Sequence, residues 1–88
     1  HHSWLDVPVP NPINQSATIR LGIATQGILH VDVVSPNGVN KSHLLSLNNS
    51  SAGEYLLTWD CSALESGVYY IRMVTENGVY VQKAIVIH

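Results

Sequence analysis

The sequence has little charge and a single cysteine. Only 11% of the 88 residues are Asp, Glu, Lys or Arg, against about 25% in an average globular domain. Four basic side chains and a net charge of −2 exclude the electrostatic footprint of a nucleic-acid-binding domain. The lone Cys61 excludes an intramolecular disulfide framework. No apolar run approaches the roughly 18 residues of a membrane-spanning helix.

The composition that remains is that of a small globular domain. Hydrophobic residues make up 45% of the chain, which excludes intrinsic disorder because disordered chains combine low hydrophobicity with high charge. A chain of this length forms one domain with a modest core. The pattern of its apolar residues therefore decides what the fold is.

The first nine residues differ in character from the rest. His1 and His2 resemble a purification-tag remnant, and prolines alternate with short residues over 7–12, which is typical of an extended, polyproline-like segment. We therefore predict a tag remnant and Pro-rich linker over 1–9, with Trp4 in linker or upstream sequence, and a folded domain over 10–88. His88 is either native or vector-derived.

The domain itself shows the period-two alternation of half-buried antiparallel strands. Strands are predicted over 17–23, 28–34, 39–47, 55–59, 68–75 and 79–87. Turn chemistry separates them at 35–38, and polar loops are predicted at 48–53 and 60–67. Six to seven short strands with frequent turns and no helical period indicate an all-β fold, an antiparallel β-sandwich of about seven strands.

The last two strands can be paired from the sequence. Asn77-Gly78 is a strong hairpin signal, and a two-residue turn there places Arg72 opposite Lys83. The predicted core face of this hairpin carries Tyr69, Ile71, Met73, Ala84 and Val86. The opposite face carries Tyr70, Arg72, Val74, Val81, Lys83 and Ile85. A four-residue loop would leave both faces unchanged.

That opposite face is unusual for a free sheet surface, because it is mostly apolar and holds two of the four basic side chains. Two interpretations remain open at this point. Another part of the chain covers the face, or it is a docking surface for a protein partner, with apolar area for affinity and cations for orientation.

Residues that could support catalysis or metal binding are few. Cys61 has no neighbouring base that would activate a thiol nucleophile. His30 and Asp32 share one strand face, and His43 could lie on a neighbouring strand, but a metal site needs three or four converging ligands. We therefore predict no catalytic residue, no metal site and no cofactor. Trp59 ends an alternating strand and is interpreted as a core residue.

Several short motifs, taken in order, resemble a known family. Pro10-Asn11-Pro12 precedes the first strand, Asn37-Gly38 ends a Val-rich one, and Thr58-Trp59-Asp60 ends another. Gly67-Val68-Tyr69-Tyr70 and the terminal strand with Lys83 follow. Over residues 8–87 the pattern resembles the Ig-like C-terminal sorting domains of the type IX secretion system of Bacteroidetes. It is also similar to the Ig-like domain of flagellar hook-capping proteins.

The chain departs from the family pattern at three positions. The turn at 35–39 lacks the arginine that is usual in the family and has Val39 instead. Cys61 stands where glycine is common, and His88 stands where the family often ends on Lys or Arg.

The resemblance implies a non-catalytic secretion signal attached to an upstream cargo domain. An outer-membrane translocon would recognise this signal. A sortase-like transpeptidase would then cleave the signal from its cargo in the linker, at or before residues 4–9. The cargo would reach the cell surface or the medium through the periplasm of a Gram-negative bacterium. The face around Arg72 and Lys83, with Tyr70, Ile85 and the terminal strand, would contact the receptor.

Two other functions stay open from the sequence. The domain could be an Ig-like accessory module of a secreted hydrolase or adhesin, as a spacer or a carbohydrate binder. It could also be an assembly subunit similar to the hook cap.

Overall fold

Seven antiparallel strands form two sheets in the computed structural model, which describes residues 2–88. The strands are β1 (Trp4–Leu5), β2 (Ser16–Ile23), β3 (Gly27–Val34), β4 (Asn40–Ser50), β5 (Gly53–Asp60), β6 (Gly67–Thr75) and β7 (Gly78–Val86). One sheet has the order β1-β2-β5 and the other the order β4-β3-β6-β7. This confirms the predicted all-β sandwich. No helix in residues 2–88 is long and apolar enough to cross a membrane.

The core lies between the two sheets and is built from the inward positions of the alternating strands. Trp59 has no exposed surface, which confirms it as a core residue. Its ring meets Tyr69 edge-on at a centroid distance of 6.2 Å. The Tyr69 hydroxyl donates to the Glu65 carbonyl oxygen at 2.6 Å, as in the tyrosine corner of Ig-type sandwiches.

The β6–β7 hairpin has the predicted faces but a different register. Its two turn residues are Glu76 and Asn77, so that Thr75 pairs with Gly78 and the predicted Asn77-Gly78 turn is wrong. The Thr75 hydroxyl explains the choice, because it accepts from the Asn77 N–H at 3.0 Å and donates to the Gly78 carbonyl oxygen at 3.3 Å. The shift is two residues, so every side chain keeps its face.

The new register changes the neighbours of the two cations on the outer side of this hairpin. Arg72 lies opposite Val81, and Lys83 lies opposite Tyr70. The predicted pairing of Arg72 with Lys83 is therefore wrong. The observed arrangement places the two cations on a diagonal and avoids two like charges directly across a strand pair, which would be destabilising.

The residues before Pro10 take part in the fold. Trp4 and Leu5 pair with β2 as an edge strand, and Leu5 is buried in the core with 6% of its surface exposed. The Gln82 side-chain amide donates to the Leu5 carbonyl oxygen at 2.7 Å. The expectation that Trp4 lies outside the fold is wrong, since its ring stacks under the Arg20 guanidinium at 5.7 Å.

Residues 9–13 form a bend that joins the two sheets, which we call the proline corner. Val9 pairs with Thr18 in one sheet, and the buried Ile13 pairs with Val86 in the other. An extended polyproline-like path through Pro12 is therefore wrong, because the chain must turn to bring Ile13 into the core. The division into a linker over 1–9 and a sorting domain over 10–88 stays a prediction, and His1 lies outside the described residues.

The fourth strand is longer than its sequence suggests. The polar run 48–53 was predicted as a loop, yet β4 continues to Ser50, which pairs with Gly27. The Ser50 hydroxyl donates to the Gly27 carbonyl oxygen at 2.9 Å. Because β4 is an edge strand, the Asn48 and Asn49 side chains stay exposed while its backbone pairs with β3.

We expect Leu5→Ala to lower the free energy of unfolding by about 2 kcal/mol or more, since it empties a buried position. Urea unfolding followed by tryptophan fluorescence measures the loss. The matched control is Val7→Ala, because Val7 is 45% exposed and its truncation should cost less than about 0.5 kcal/mol. Equal effects of the two variants would contradict the packing of β1.

Candidate protein-docking face

The outer side of the β6–β7 hairpin is a mixed apolar and basic surface, which we call the outer hairpin face. It consists of Tyr70, Arg72, Val74, Val81, Lys83 and Ile85, all on the side of the sheet away from the core. Tyr70, Val74 and Ile85 are half-buried, whereas Arg72, Val81 and Lys83 are exposed. No second layer of strands from residues 2–88 lies over it. The sequence allowed two interpretations: that another part of the chain covers this face, or that the face docks a partner. The first is wrong for the described residues.

Its two cations form no ion pair within residues 2–88. Arg20, on the other sheet, forms ion pairs with Glu54 at 3.2 Å and Asp6 at 3.9 Å. Neither Arg72 nor Lys83 forms an ion pair with any described carboxylate. The outer hairpin face therefore carries positive charge on a chain whose net charge is −2.

Strand β3 extends this surface with residues that the alternating pattern of the sequence alone does not assign to it. Val34 lies opposite Tyr70, and Asp32 lies opposite Arg72. The Asp32 carboxylate is buried and contacts Nδ1 of His43 on β4. Alternation alone places these residues on an outward face of β3, but the neighbour of β3 in the sheet could not be read from it.

The histidines near this surface have ordinary structural contacts. His43 lies on the strand next to Asp32, as the sequence allowed, and His30 Nδ1 is 2.9 Å from the Ser46 hydroxyl. No group of three or more potential metal ligands occurs within residues 2–88.

Cys61 is a packed thiol at the end of β5. It is fully buried, and its Sγ donates to the Gln15 carbonyl oxygen at 3.2 Å. Burial raises the pKa of the Cys61 thiol, so the thiolate needed for nucleophilic attack is disfavoured at neutral pH. This geometry gives the side chain a structural role.

The residues of the family motifs mostly support the fold. The Asn11 side-chain oxygen accepts from the Ile85 N–H at 3.0 Å, and Gly38 occupies a left-handed turn position at φ +86°. Asp60 Oδ1 accepts from the Ser62 N–H at 3.0 Å, a bond that lowers the pKa of the Asp60 carboxyl. The other structural positions are Pro10 and Pro12 in the proline corner, Trp59 and Tyr69 in the core, and Gly67 at the start of β6. Of the motif residues, Tyr70 and Lys83, which lie opposite each other, belong to the outer hairpin face.

We expect the Cys61 thiol to react slowly with a thiol reagent such as Ellman's reagent in the native protein at pH 8, because it is buried and its pKa is raised. Addition of urea above the unfolding midpoint should speed the reaction by about a hundredfold or more, since unfolded chains expose the thiol. Equal rates in the native and unfolded protein would show that Cys61 is accessible and reactive.

Comparison with known families gives a match over most of the chain. Residues 9–87 match the family described as the secretion system C-terminal sorting domain. No curated protein matches the sequence. The matched range includes the proline corner, all strands from β2 to β7, and the whole outer hairpin face.

Proposed function

The chain belongs to the secretion system C-terminal sorting domain family, and we propose that the type IX secretion machinery recognises it through the outer hairpin face. Family membership makes the domain a C-terminal sorting signal of this secretion system. The family is non-catalytic, which agrees with the packed, high-pKa thiol of Cys61.

The observation that supports the outer hairpin face is its combination of exposed apolar side chains and cations that form no ion pair within residues 2–88. Val81 keeps 53% of its surface exposed beside Arg72, and neither Arg72 nor Lys83 has an ionic partner among the described residues. Exposed apolar area of this kind provides affinity for a partner, whereas nearby cations orient an acidic surface against it. The partner in this proposal is a component of the outer-membrane machinery.

After this recognition, the secretion machinery would export the upstream cargo to the cell surface or the medium of a Gram-negative bacterium. A sortase-like transpeptidase would then separate cargo from signal. Proteolytic enzymes bind their substrates as extended, unpaired backbone, and residues 4–9 are held against β2. The proposed cleavage site therefore lies before Trp4.

We expect residues 1–88, fused behind a periplasmic reporter, to direct the reporter outside a host that has the type IX system. The double variant Arg72→Glu and Lys83→Glu should reduce the exported fraction by about tenfold, because it reverses the charge of the outer hairpin face. Reporter activity in medium, surface and periplasm fractions measures the effect.

The control for this experiment is Lys41→Glu, which reverses an exposed charge on β4, at the opposite edge of the same sheet. It should leave export unchanged. Circular dichroism and thermal unfolding establish that each variant keeps its fold. A wild-type fusion retained in the periplasm would contradict the sorting function, and unchanged export of the folded double variant would contradict the role of the face.

We expect the domain released after export to begin before Trp4, since the backbone of residues 4–6 and of Val9 is bonded to β2 in the folded protein. Intact-mass measurement and N-terminal sequencing of the released fragment identify the cut. Asp6→Pro, which deletes the N–H that donates to the Arg20 carbonyl oxygen of β2 at 2.9 Å, should allow additional cuts within residues 4–9. A wild-type fragment beginning between residues 5 and 10 would contradict the proposed position.

A further inference from the structure

Strand β7 has a free edge over half its length. It is the last strand of the four-stranded sheet, so β6 lies on one side of it and no strand lies on the other. Antiparallel ladders alternate, so every second residue directs its N–H and C=O away from the partner strand. Ile85 is such a residue, because its N–H and C=O bond to Asn11 and Ile13 instead of β6. By the same alternation, Val79, Val81 and Lys83 direct their backbone groups to the free edge.

These backbone groups have no partner within residues 2–88. The proline corner pairs with Ile85 and Ile87 and reaches no further along β7. No hydrogen bond within the described chain fills the edge positions of Val79, Val81 or Lys83. We call these three residues the β7 edge. Their side chains lie on the outer side of the sheet, where Val79 is 60% and Val81 53% exposed.

The outer edges of β4 and β5 differ from this one. The β3–β4 ladder has three register shifts, and such irregularity protects an edge strand from pairing with another chain. The β5 edge is regular but carries the acidic side chains of Glu54 and Asp60. The β7 edge is regular over its whole pairing with β6, is apolar, and has one cation. An exposed edge of that kind is a template for an added strand.

We infer that the β7 edge binds an extended strand of a partner protein in antiparallel orientation, with apolar side chains opposite Val79 and Val81 and an acidic side chain opposite Lys83. This inference rests on the proposed function, since the strand is taken to belong to the secretion machinery. It adds a specific mode of binding: main-chain bonds supply affinity, and the alternate side chains supply specificity.

The charge of the β7 edge favours an acidic strand of a partner protein over a second copy of the same chain. Lys83 has no ionic partner in residues 2–88, and Arg72 lies on the next strand of the same face without one. A symmetric pairing of two β7 strands would bring a second Lys83 to this edge and supply no acidic side chain to either one. An acidic strand compensates them.

The test uses a synthetic peptide, acetyl-Ser-Glu-Thr-Val-Thr-Val-Ser-amide, whose Glu and two Val residues fall opposite Lys83, Val81 and Val79 in an antiparallel register. We expect it to bind residues 1–88 in an NMR titration. Binding should slow amide exchange at Val79, Val81 and Lys83. The Tyr80 and Gln82 amides, already bonded to β6, should change little. A peptide with Lys in place of Glu should bind about tenfold more weakly.

Two changes remove the main-chain bond at the centre of the edge. Val81→Pro deletes the N–H that faces away from β6, a position where edge strands tolerate proline, and should weaken binding at least tenfold. The isosteric Val81→Thr keeps the N–H and should bind within about threefold of the wild type. N-methylation of the peptide Val opposite Val81 should abolish binding without altering the protein, which keeps the test valid if Val81→Pro unfolds.

The outcomes separate this inference from the proposed function. Absence of peptide binding, uniform protection of all amides, dimerisation through β7, or binding that survives N-methylation would each overturn the added strand. In the reporter assay, wild-type export with undiminished export of folded Val81→Pro would also overturn it and leave the sorting function intact. A wild-type fusion that stays in the periplasm would contradict the sorting function itself, whereas the peptide titration would still report on the edge.

Discussion

The backbone of Ile13 joins the two sheets at one side of the sandwich. Its N–H donates to the Ile85 carbonyl oxygen at 2.7 Å, and its own carbonyl accepts from the Ile87 N–H at 2.8 Å. Its side chain is fully buried between the sheets, while Val9, at the other end of the proline corner, pairs with Thr18. These contacts of the proline corner occupy the C-terminal end of strand β7 and leave the β7 edge free. The length of free edge on β7 therefore depends on how far the proline corner reaches along this strand.

Local pattern was sufficient to predict the fold class and the faces of the strands. Tyr69, Ile71 and Met73 alternate with Tyr70 and Arg72, and burial on one side accounts for that alternation. The exact pairing could not be predicted in this way, because an even shift preserves every face. A single hydroxyl, that of Thr75, stabilises the observed turn through bonds that no periodicity reports.

The candidate site was predictable as one side of a hairpin but not as a surface of a whole sheet. The sequence places Arg72 and Lys83 on one face, and the structure keeps them there. Asp32 could not be assigned, since the contact of β3 with β6 joins residues far apart in the chain. Trp4 was misplaced for the same reason: two residues carry no strand pattern, and their pairing with β2 is a tertiary interaction.

The contact between Asn11 and Ile85 spans 74 positions of the chain, and that between Leu5 and Gln82 spans 77. Topologies dominated by such distant contacts fold slowly. The β6–β7 surface is complete only after the final strand has joined the sheet and the first residues have closed against it. A chain still emerging from a channel, or one damaged in its core, displays none of it. Under the proposed function, the partner would therefore meet this surface only on a domain that has completed its folding.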